Sequence, residues 1–206
     1  MAYVLGFFAA DGYVTKNKRG GCFWSIQITD LDLLNKIKST VESNHKIGVR
    51  SPKNSDKKLY RLQIGSKEMC DDLKGLGFTS NKTYNMVIPN VPADLLRDFV
   101  RGYFDGDGNV WSGFTHKNRA KTTLSLRVTF TSCSRLFILE LRRRLRLHMI
   151  LKGVFSKGKG NFYRLVYSVN DSLKLYDFMY NHLVSKNSLF LERKKVVFNK
   201  YIKLRS

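Results

Sequence analysis

Residues 100–108 read V-R-G-Y-F-D-G-D-G, and residues 4–12 read V-L-G-F-F-A-A-D-G. Each segment is a short apolar run with a glycine at its third position and an Asp-Gly pair at its end. The two aspartates, Asp11 and Asp107, are 96 positions apart in a chain of 206 residues. Two copies at half-chain spacing predict two similar halves, each supplying one carboxylate to a shared site.

Small residues recur at helical spacing within both segments. If the segments are helices, residues four positions apart share one face, and small side chains there let two backbones approach closely. Gly12 and Gly108 are expected to adopt the left-handed conformation just past a helix end. The residues expected at the helix interface are Gly6, Ala10, Gly102 and Gly106.

The two aspartates would then lie at the C-terminal ends of adjacent helices. The helix dipole is negative there, and two neighbouring carboxylates repel each other. A bound divalent cation removes both objections, and carboxylates with few other protein ligands favour Mg²⁺, with Mn²⁺ able to substitute. We therefore expect Asp11 and Asp107 to be the metal ligands and catalytic acids, with no metal role assigned to the backbone of Ala10. One such motif alone is more simply a helix cap and a turn, but the doubled motif favours function.

Both segments resemble, in register, the LAGLIDADG motif of homing endonucleases. The resemblance implies an α+β fold of two pseudosymmetric αββαββα repeats, packed through paired LAGLIDADG helices and carrying saddle-shaped antiparallel sheets. It implies a monomer that cuts double-stranded DNA at a long, non-palindromic site, with divalent metal and a staggered cut leaving 3′ overhangs. An RNA-splicing maturase that holds structured intron RNA and a catalytically silent DNA-binding protein remain alternatives. Retention of both acids disfavours them, because a pure binder gains nothing from carboxylates that repel phosphates.

The chain is strongly basic, with 37 Lys and Arg against 16 Asp and Glu, a formal net charge of +21 and a pI near 10.1. Such a field favours polyanionic partners. The 43% apolar content in patterned segments indicates a core, unlike a constitutively basic ribosomal tail. No basic amphipathic helix is paired with a Trp-rich apolar face, which argues against a membrane-surface protein. We expect nucleic acid as the partner.

Other functional classes find little support in the sequence. No apolar stretch reaches the length of a membrane-spanning helix, and the N-terminus lacks a signal-peptide pattern, so we expect an intracellular chain without a membrane partner. The three cysteines are odd in number and lack metal-ligand spacing, which predicts reduced thiols. Because a terminal Cys or Ser nucleophile and a terminal His-Asn pair are both missing, we expect a freestanding or intron-encoded chain rather than an intein.

The repeat extends beyond the two motifs. The matched segments are Ile28–Asp30 with Phe130–Ser132, Gly48–Ser51 with Gly153–Ser156, and Tyr60–Leu62 with Tyr163–Leu165. The offset grows from 96 to 102–105, which places an insertion near Gly113–Lys121. We expect an N-terminal half over 1–79, a linker over 80–94 and a C-terminal half over 95–206.

Apolar periodicity predicts the elements of each half. Helices are expected at 2–10, 31–43, 66–76, 95–105, 134–147, 171–183 and 188–203. Strands are expected from Tyr13 to about 16, and at 22–29, 46–51, 58–64, 109–114, 122–131, 149–156 and 161–168.

The strands at 22–29 and 122–131 alternate apolar and polar side chains, which predicts sheets with one face on the core and one in solvent. In a nucleic-acid-binding protein, a face of Ser, Gln, Thr and Arg suits reading base edges in the major groove. The residues expected to contact DNA are Ser25, Gln27, Thr29, Arg50, Arg61, Arg127, Thr129, Thr131 and Arg164. Further phosphate and groove-edge contacts are expected from Lys16, Lys18, Arg19, Lys53, Lys57, Lys58, Lys117, Arg119 and Lys121.

The resemblance also implies a lysine and a polar residue near each carboxylate. The polar positions fall on Asp30 and Ser132, and the basic positions fall on Lys82 and on either Lys194 or Lys195. Lys82 and Lys194 are the expected catalytic lysines, because an ammonium group there could stabilise transition-state charge or orient the attacking water. A phosphate contact or a solvated basic face is an equally plain interpretation of Lys194. The first motif has Ala9 where the second has Asp105, a position that is not the metal ligand.

Overall fold

The computed structural model describes residues 1–52, 57–79, 82–115, 122–183 and 188–205. The helices are α1 (Ala2–Asp11), α2 (Leu31–Thr40), α3 (Lys67–Gly75), α4 (Lys82–Asn85), α5 (Leu96–Asp107), α6 (Arg135–Met149), α7 (Val169–Tyr180) and α8 (Glu192–Arg205). The strands are β1 (Gly12–Lys16), β2 (Cys22–Ile28), β3 (Gly48–Arg50), β4 (Leu59–Gly65), β5 (Gly108–Thr115), β6 (Thr123–Ser132), β7 (Val154–Lys157) and β8 (Tyr163–Tyr167). A 3₁₀ turn at Ala93–Leu95 leads into α5.

The strands form two antiparallel sheets of the same design, with orders β1-β2-β4-β3 and β5-β6-β8-β7. Each half therefore repeats helix, hairpin, helix, hairpin, helix, and α8 follows the second copy. This order confirms the predicted α+β fold with two αββαββα repeats. No helix in the described ranges is long and apolar enough to cross a membrane.

The first sheet is covered by helices on its apolar face. Trp24 and Ile26 of β2 and Leu62 of β4 are almost fully buried. The Phe8 ring of α1 meets Trp24 edge-on at 5.9 Å between ring centroids, and meets Phe78 in the same manner at 5.5 Å. Such aromatic pairs add to the free energy gained from their buried area, and they hold α1 against the sheet.

The second sheet has an equivalent core. Val128 and Phe130 of β6 and Tyr167 of β8 are fully buried, and the rings of Phe130 and Tyr167 pack edge-on at 6.2 Å. Ser172 on α7 accepts a hydrogen bond from the backbone N–H of Val128 and donates one to the carbonyl of Tyr167. The hydroxyl therefore ties α7 to the central strands, because a buried polar group requires such partners.

The strand register corrects one match between the halves. Gly12 pairs with Ile26, and Gly108 pairs with Phe130. The counterpart of Phe130 is therefore Ile26 rather than Ile28, and the predicted match at the end of β2 is wrong by two residues. The two-residue spacing keeps side chains on the same face of the sheet, so the apolar pattern alone could not reveal the shift.

The predicted match between β3 and β7 is also wrong, whereas the predicted match between β4 and β8 is confirmed. Tyr60 and Tyr163 pair with the equivalent residues Ile28 and Ser132. Gly48 pairs with Arg61, whereas the partner of Arg164 is Ser156. Gly48 is therefore equivalent to Ser156 rather than to Gly153. The predicted insertion lies within the β5–β6 hairpin, and its residues 116–121 are outside the described ranges.

Several predicted boundaries also differ. Gly12 has φ −84° and ψ 158° and begins β1 directly, so its expected left-handed conformation is wrong. Its small size matters instead, because a Cβ there would overlap the Phe8 ring. Gly108 likewise begins β5, and the described glycines with positive φ are Gly20 and Gly77. The strand predicted from residue 149 begins only at Val154, since α6 continues to Met149.

The chain forms two compact units whose boundaries differ from those of the sequence halves. The first comprises Met1–Lys82, Pro89–Gly106 and the segment ending at Leu189, and it therefore contains both α1 and most of α5. The second comprises Thr83–Ile88, the chain from Asp107 to the end of α7, and Phe190 onward, as far as these are described. The predicted linker region contains α4 and the 3₁₀ turn.

Candidate functional site

Helices α1 and α5 approach each other with almost no side-chain spacing. A Cβ on Gly6 would overlap the carbonyl oxygen of Phe99, and a Cβ on Gly102 would overlap that of Tyr3. A Cβ on Gly106 would overlap the methyl group of Ala10. The structure thus brings together the four small residues that the sequence singles out, and glycine is required where backbone meets backbone.

The helix pair is also tied by a buried polar network. The Tyr3 hydroxyl donates to Oδ2 of Asp105 at 2.8 Å, and Asp105 is 1% exposed. Arg101 donates from Nη2 to Asp98 Oδ1 at 2.6 Å and from Nε to the carbonyl of Leu189 at 2.9 Å. Its guanidinium carbon lies 5.3 Å from the centroid of the Tyr3 ring. Asp105 occupies the position that Ala9 holds in the first motif copy. Its burial and its hydrogen bond from Tyr3 make it a structural carboxylate.

Asp11 and Asp107 are the last residues of α1 and α5, and both are exposed. The Asp11 carboxylate lies beside Gly106, where a Cβ would come within 3.1 Å of its Oδ2. In the described ranges no group of three or more His, Cys, Asp and Glu side chains could hold a metal by itself. A metal bound to either aspartate would therefore need oxygen ligands other than acidic side chains.

Lys82 lies beside the end of α1. Its ammonium group donates to the carbonyl of Ala9 at 2.6 Å and contacts that of Ala10 at 3.4 Å. The last carbonyls of a helix have no partner within the helix and carry its negative dipole charge. Lys82 satisfies those carbonyls and brings a positive charge next to the residue that precedes Asp11. Its Nζ also lies 5.8 Å from the centroid of the Phe8 ring.

Lys194 makes a contact of the same kind, from its ammonium group to a backbone carbonyl, in the second unit. Its ammonium group donates to the carbonyl of Gly108, the residue after Asp107, at 2.6 Å. Lys194 is 6% exposed, although α8 is otherwise rich in solvent-facing basic residues. A lysine is rarely buried unless it is paired, so this position is not part of a solvated basic face.

Lys195 points elsewhere. Its Nζ lies 4.6 Å from the centroid of the Phe190 ring and 5.9 Å from that of Tyr180. Cation–π contacts of this kind anchor α8 to the aromatic residues that precede it. Of the two lysines left open by the sequence, the structure places Lys194 next to Asp107.

The two polar positions support helix starts. Asp30 accepts a hydrogen bond from the Leu33 N–H as the N-cap of α2. Ser132 is 7% exposed and accepts from the N–H of Ser134, which in turn is the N-cap of α6. By register, Ser134 rather than Ser132 is the counterpart of Asp30. N-cap side chains of this kind satisfy backbone donors that the helix leaves unpaired.

The polar face of the first sheet carries most of the expected DNA-contacting residues of that half. Cross-strand partners share a face, so Gln27 lies beside Arg61. Arg50 is paired with Leu59 on this face. Ser25, however, is fully buried between its neighbours Tyr13 and Gln63, so its expected exposure is wrong. Gln63, which the sequence analysis missed, lies on this face because it pairs with Ser25.

The second sheet presents a different face. Arg127 is exposed, and Thr129, Thr131 and Arg164 lie on the same face of the sheet. Thr131 is the cross-strand partner of Arg164. Sequence analysis missed the apolar members of this face, Trp111, Val154 and Val166, because apolar side chains in a strand predict core. Trp111 is 43% exposed, and the Arg127 guanidinium carbon lies 6.0 Å from its ring centroid. Among the expected phosphate contacts, Lys53, Lys117, Arg119 and Lys121 lie outside the described residues.

The cysteines do not extend the site. Cys22, Cys70 and Cys133 are free thiols. Burial, followed by a hydrogen bond with the Cys22 thiol, raises the pKa of Cys70 to about 12. A thiol with so high a pKa is a poor nucleophile and metal ligand at neutral pH.

The sequence and fold can be compared with known proteins. A family profile described as a LAGLIDADG-like domain matches residues 1–74 and 94–179, one copy in each half. Residues of this chain are 32% identical over 110 positions to "DNA-directed RNA polymerase subunit Rpo1C" of Methanocaldococcus jannaschii, covering 52% of the chain and 12% of that protein. They are 34% identical over 120 positions to a "DNA polymerase" of Acanthamoeba polyphaga mimivirus, covering 52% and 7%. The match thus spans a small part of the length of both relatives.

Solved structures resemble the whole chain. The LAGLIDADG meganuclease I-AabMI bound to uncleaved DNA superposes with a TM-score of 0.66 at 14% identity, covering 98% of this chain and 88% of that one. I-SmaMI bound to an uncleaved DNA target in the presence of calcium gives 0.64 at 15% identity, covering 98% and 89%. The homing endonuclease I-LtrWI bound to target DNA gives 0.63 at 12% identity, covering 98% and 88%. At such identities the likeness is one of fold.

Proposed function

The chain belongs to the LAGLIDADG family, and we propose that it is an endonuclease that hydrolyses double-stranded DNA at a long, non-palindromic site. The observation that carries the proposal is the repeated placement of a lysine ammonium group beside each carboxylate-bearing helix end. Each aspartate would serve one strand of the duplex, as a monomer making a staggered cut. The DNA-bound state of three structural relatives supports duplex DNA as the substrate.

The donor set around each aspartate fits a divalent cation. An exposed carboxylate offers oxygen ligands, which is what Mg²⁺ prefers, and Mn²⁺ accepts the same ligands. Asp11 and Asp107 would hold the metal, and water with phosphate oxygens would complete its ligands. When bound, the metal would supply charge neutralisation at the scissile phosphate and a more acidic water.

The lysines have a separate part in the proposed reaction. Held by the carbonyls of Ala9 and Gly108, the ammonium groups of Lys82 and Lys194 keep a positive charge close to each carboxylate. The same charge would stabilise the extra negative charge that develops on the phosphate in the transition state.

The sheets would supply binding and register. Arg50, Arg61 and Gln27 of the first sheet and Arg127 and Arg164 of the second lie on the sheet faces away from the core, where arginine suits guanine and glutamine suits adenine. The net charge of +21 supplies the attraction to phosphates. Affinity should therefore fall steeply as salt rises.

The proposal is tested by incubating the protein with a randomised duplex library and Mg²⁺ and sequencing the cut ends. We expect defined staggered cuts that disappear in the double variant Asp11→Asn with Asp107→Asn. The double variant should retain binding, because it removes charge that repels phosphates. Tight binding to DNA or structured RNA without cleavage in Mg²⁺ or Mn²⁺ would contradict the proposal and indicate a maturase or a silent DNA-binding protein.

A further inference from the structure

The two sheets present chemically different surfaces at equivalent positions. By register, Thr15 of β1 is equivalent to Trp111 of β5, and Gln63 of β4 is equivalent to Val166 of β8. At these two positions the first sheet offers hydrogen-bonding groups where the second offers apolar ones, whereas at a third the order is reversed, since Phe23 is equivalent to Arg127. Because both positions lie on the face away from the core, the requirements of folding do not explain the change.

Two of the apolar residues lie in a single row across the second sheet. Val154 of β7 pairs with Val166 of β8, which pairs with Thr129 of β6. Val154 is 63% exposed. Three side chains that end in methyl groups thus stand side by side on a surface that also carries Arg127 and Arg164. Contiguous exposed apolar groups with a charged border are typical of a contact surface.

Trp111 belongs to β5, the edge strand of the second sheet, and its ring lies along the same face. A Cβ on Gly113 would come within 2.9 Å of the indole ring, so the glycine leaves the space in which the ring lies. Gly113 has no positive φ, so it contributes space for the ring rather than an unusual backbone conformation. Arg127, the cross-strand partner of Trp111, lies 6.0 Å from the ring centroid and orients it further. The indole is held against the sheet while 43% of Trp111 stays exposed.

We propose that Trp111 and the Val154–Val166 pair are specificity-determining residues that bind the C5-methyl groups of thymines in one half of the DNA target. In the major groove the thymine methyl is the one apolar group that a base edge presents, and it is read by apolar contact. The inference rests on the proposed function, since it names the bases that the second sheet selects. The second half-site is then rich in thymine at the positions under this face, whereas the equivalent positions of the first half-site are read by the hydrogen-bonding groups of Thr15 and Gln63.

The test measures binding in Ca²⁺, without cleavage, to the target recovered from the library. Each thymine is replaced in turn by deoxyuridine, which removes the methyl group and leaves base pairing intact. We expect affinity to fall about fourfold for each methyl contacted, the equivalent of one methyl-sized group no longer buried. The losses should be confined to the half-site under the second sheet.

Two variants give Trp111 and Val166 the side chains of their counterparts in the first sheet. Trp111→Thr and Val166→Gln should each bind thymine and deoxyuridine equally at one position, and at different positions from each other. Unchanged melting temperatures would show that both variants fold. Tight, specific binding by the wild-type protein that ignores every deoxyuridine would overturn the inference but leave the proposed function standing, whereas absence of DNA binding would overturn both.

Discussion

The two carboxylate-bearing helix ends receive their lysines from unlike parts of the chain. Beside Asp11, the lysine comes from α4, a helix of four residues, and is half-buried. Beside Asp107, it comes from α8, a helix of 14 residues, and is 6% exposed. Both ammonium groups nevertheless donate to a backbone carbonyl at 2.6 Å. Each half thus places a lysine ammonium group on a backbone carbonyl near its aspartate, but the two carbonyls, those of Ala9 and Gly108, are not at equivalent positions.

The largest expected effect is on the contact between α1 and α5, to which the two helices contribute equivalent glycines. Gly6→Ala would drive a Cβ into the carbonyl of Phe99 and force the two helix backbones apart. We expect a loss of about 3 kcal/mol in the free energy of unfolding, measured by denaturant titration. Gly75→Ala is the matched control, because that helical glycine has nothing within 4 Å of the added methyl. It should be neutral or slightly stabilising, and an equal loss in both variants would contradict the close-approach account.

The next effect separates the two lysines. Lys194→Met leaves the part-buried Gly108 carbonyl without its charged donor and should destabilise by roughly 1–3 kcal/mol. Lys82→Met should cost less, since water can replace the half-buried ammonium group. Each variant should slow the nicking of one strand about 100-fold, in single-turnover assays on strand-labelled duplex.

Lys195→Met is the control for both lysine variants, because that ammonium group lies over the rings of Phe190 and Tyr180. It should lose packing stability of about 1 kcal/mol or less while the nicking rates of both strands stay near the wild-type values. Full nicking rates in Lys82→Met and Lys194→Met would show that the two lysines are only structural caps.

A smaller effect tests one of the positions at which the two motif segments differ, Ala9 in the first and Asp105 in the second. Tyr3→Phe removes the hydroxyl that donates to Asp105, leaving a buried carboxylate with one donor fewer. We expect a loss of roughly 1–2 kcal/mol in unfolding free energy, with cleavage of both strands retained. Ala9, at the corresponding position of the first motif, requires no such donor, and a Tyr3→Phe variant as stable as wild type would contradict the structural role of the pair.

The smallest effect is a pH dependence confined to the second half. Hydrogen bonds from Arg143 and Arg144 hold the pKa of Glu140 on α6 at about 2, below its ordinary value of 4.5. A lowered pKa stabilises the fold above pH 4.5, and this contribution is lost as the pH falls from there towards 2. Because Glu140 and its two arginines lie near the surface, we expect this contribution to the free energy of unfolding to be about 0.5 kcal/mol. Thermal melts of Glu140→Gln between pH 6 and 3 should show a correspondingly flatter decline than wild type.

Much of this architecture could be predicted because the decisive signals are local. A glycine-spaced apolar run ending in Asp-Gly identifies α1 and α5, and strict alternation identifies β2 and β6. The family resemblance then supplied Lys82 and Lys194, which no local pattern marks. The structure adds the reason for their placement, since each satisfies a carbonyl beside an aspartate.

The errors share a physical origin, which is that register and burial are tertiary properties. A two-residue shift in β2 keeps every side chain on its expected face, so the sequence cannot detect it. Ser25 looked like a surface residue, but the cross-strand neighbours Tyr13 and Gln63 cover its small side chain. Trp111 carries no sequence signal that marks it as a surface residue, yet it lies exposed on the sheet because Gly113 makes room for the ring.

We propose that Asp11 and Asp107 each serve one strand of the same target. The most direct test of this proposal is a strand-resolved assay in Mg²⁺ on doubly labelled duplex with Asp11→Asn and Asp107→Asn separately. We expect each variant to lose cleavage of one strand by about a thousandfold and to nick the other, with opposite strands nicked by the two variants. Unimpaired double-strand cleavage by either single variant, or loss of the same strand in both, would contradict the assignment of one carboxylate to each strand.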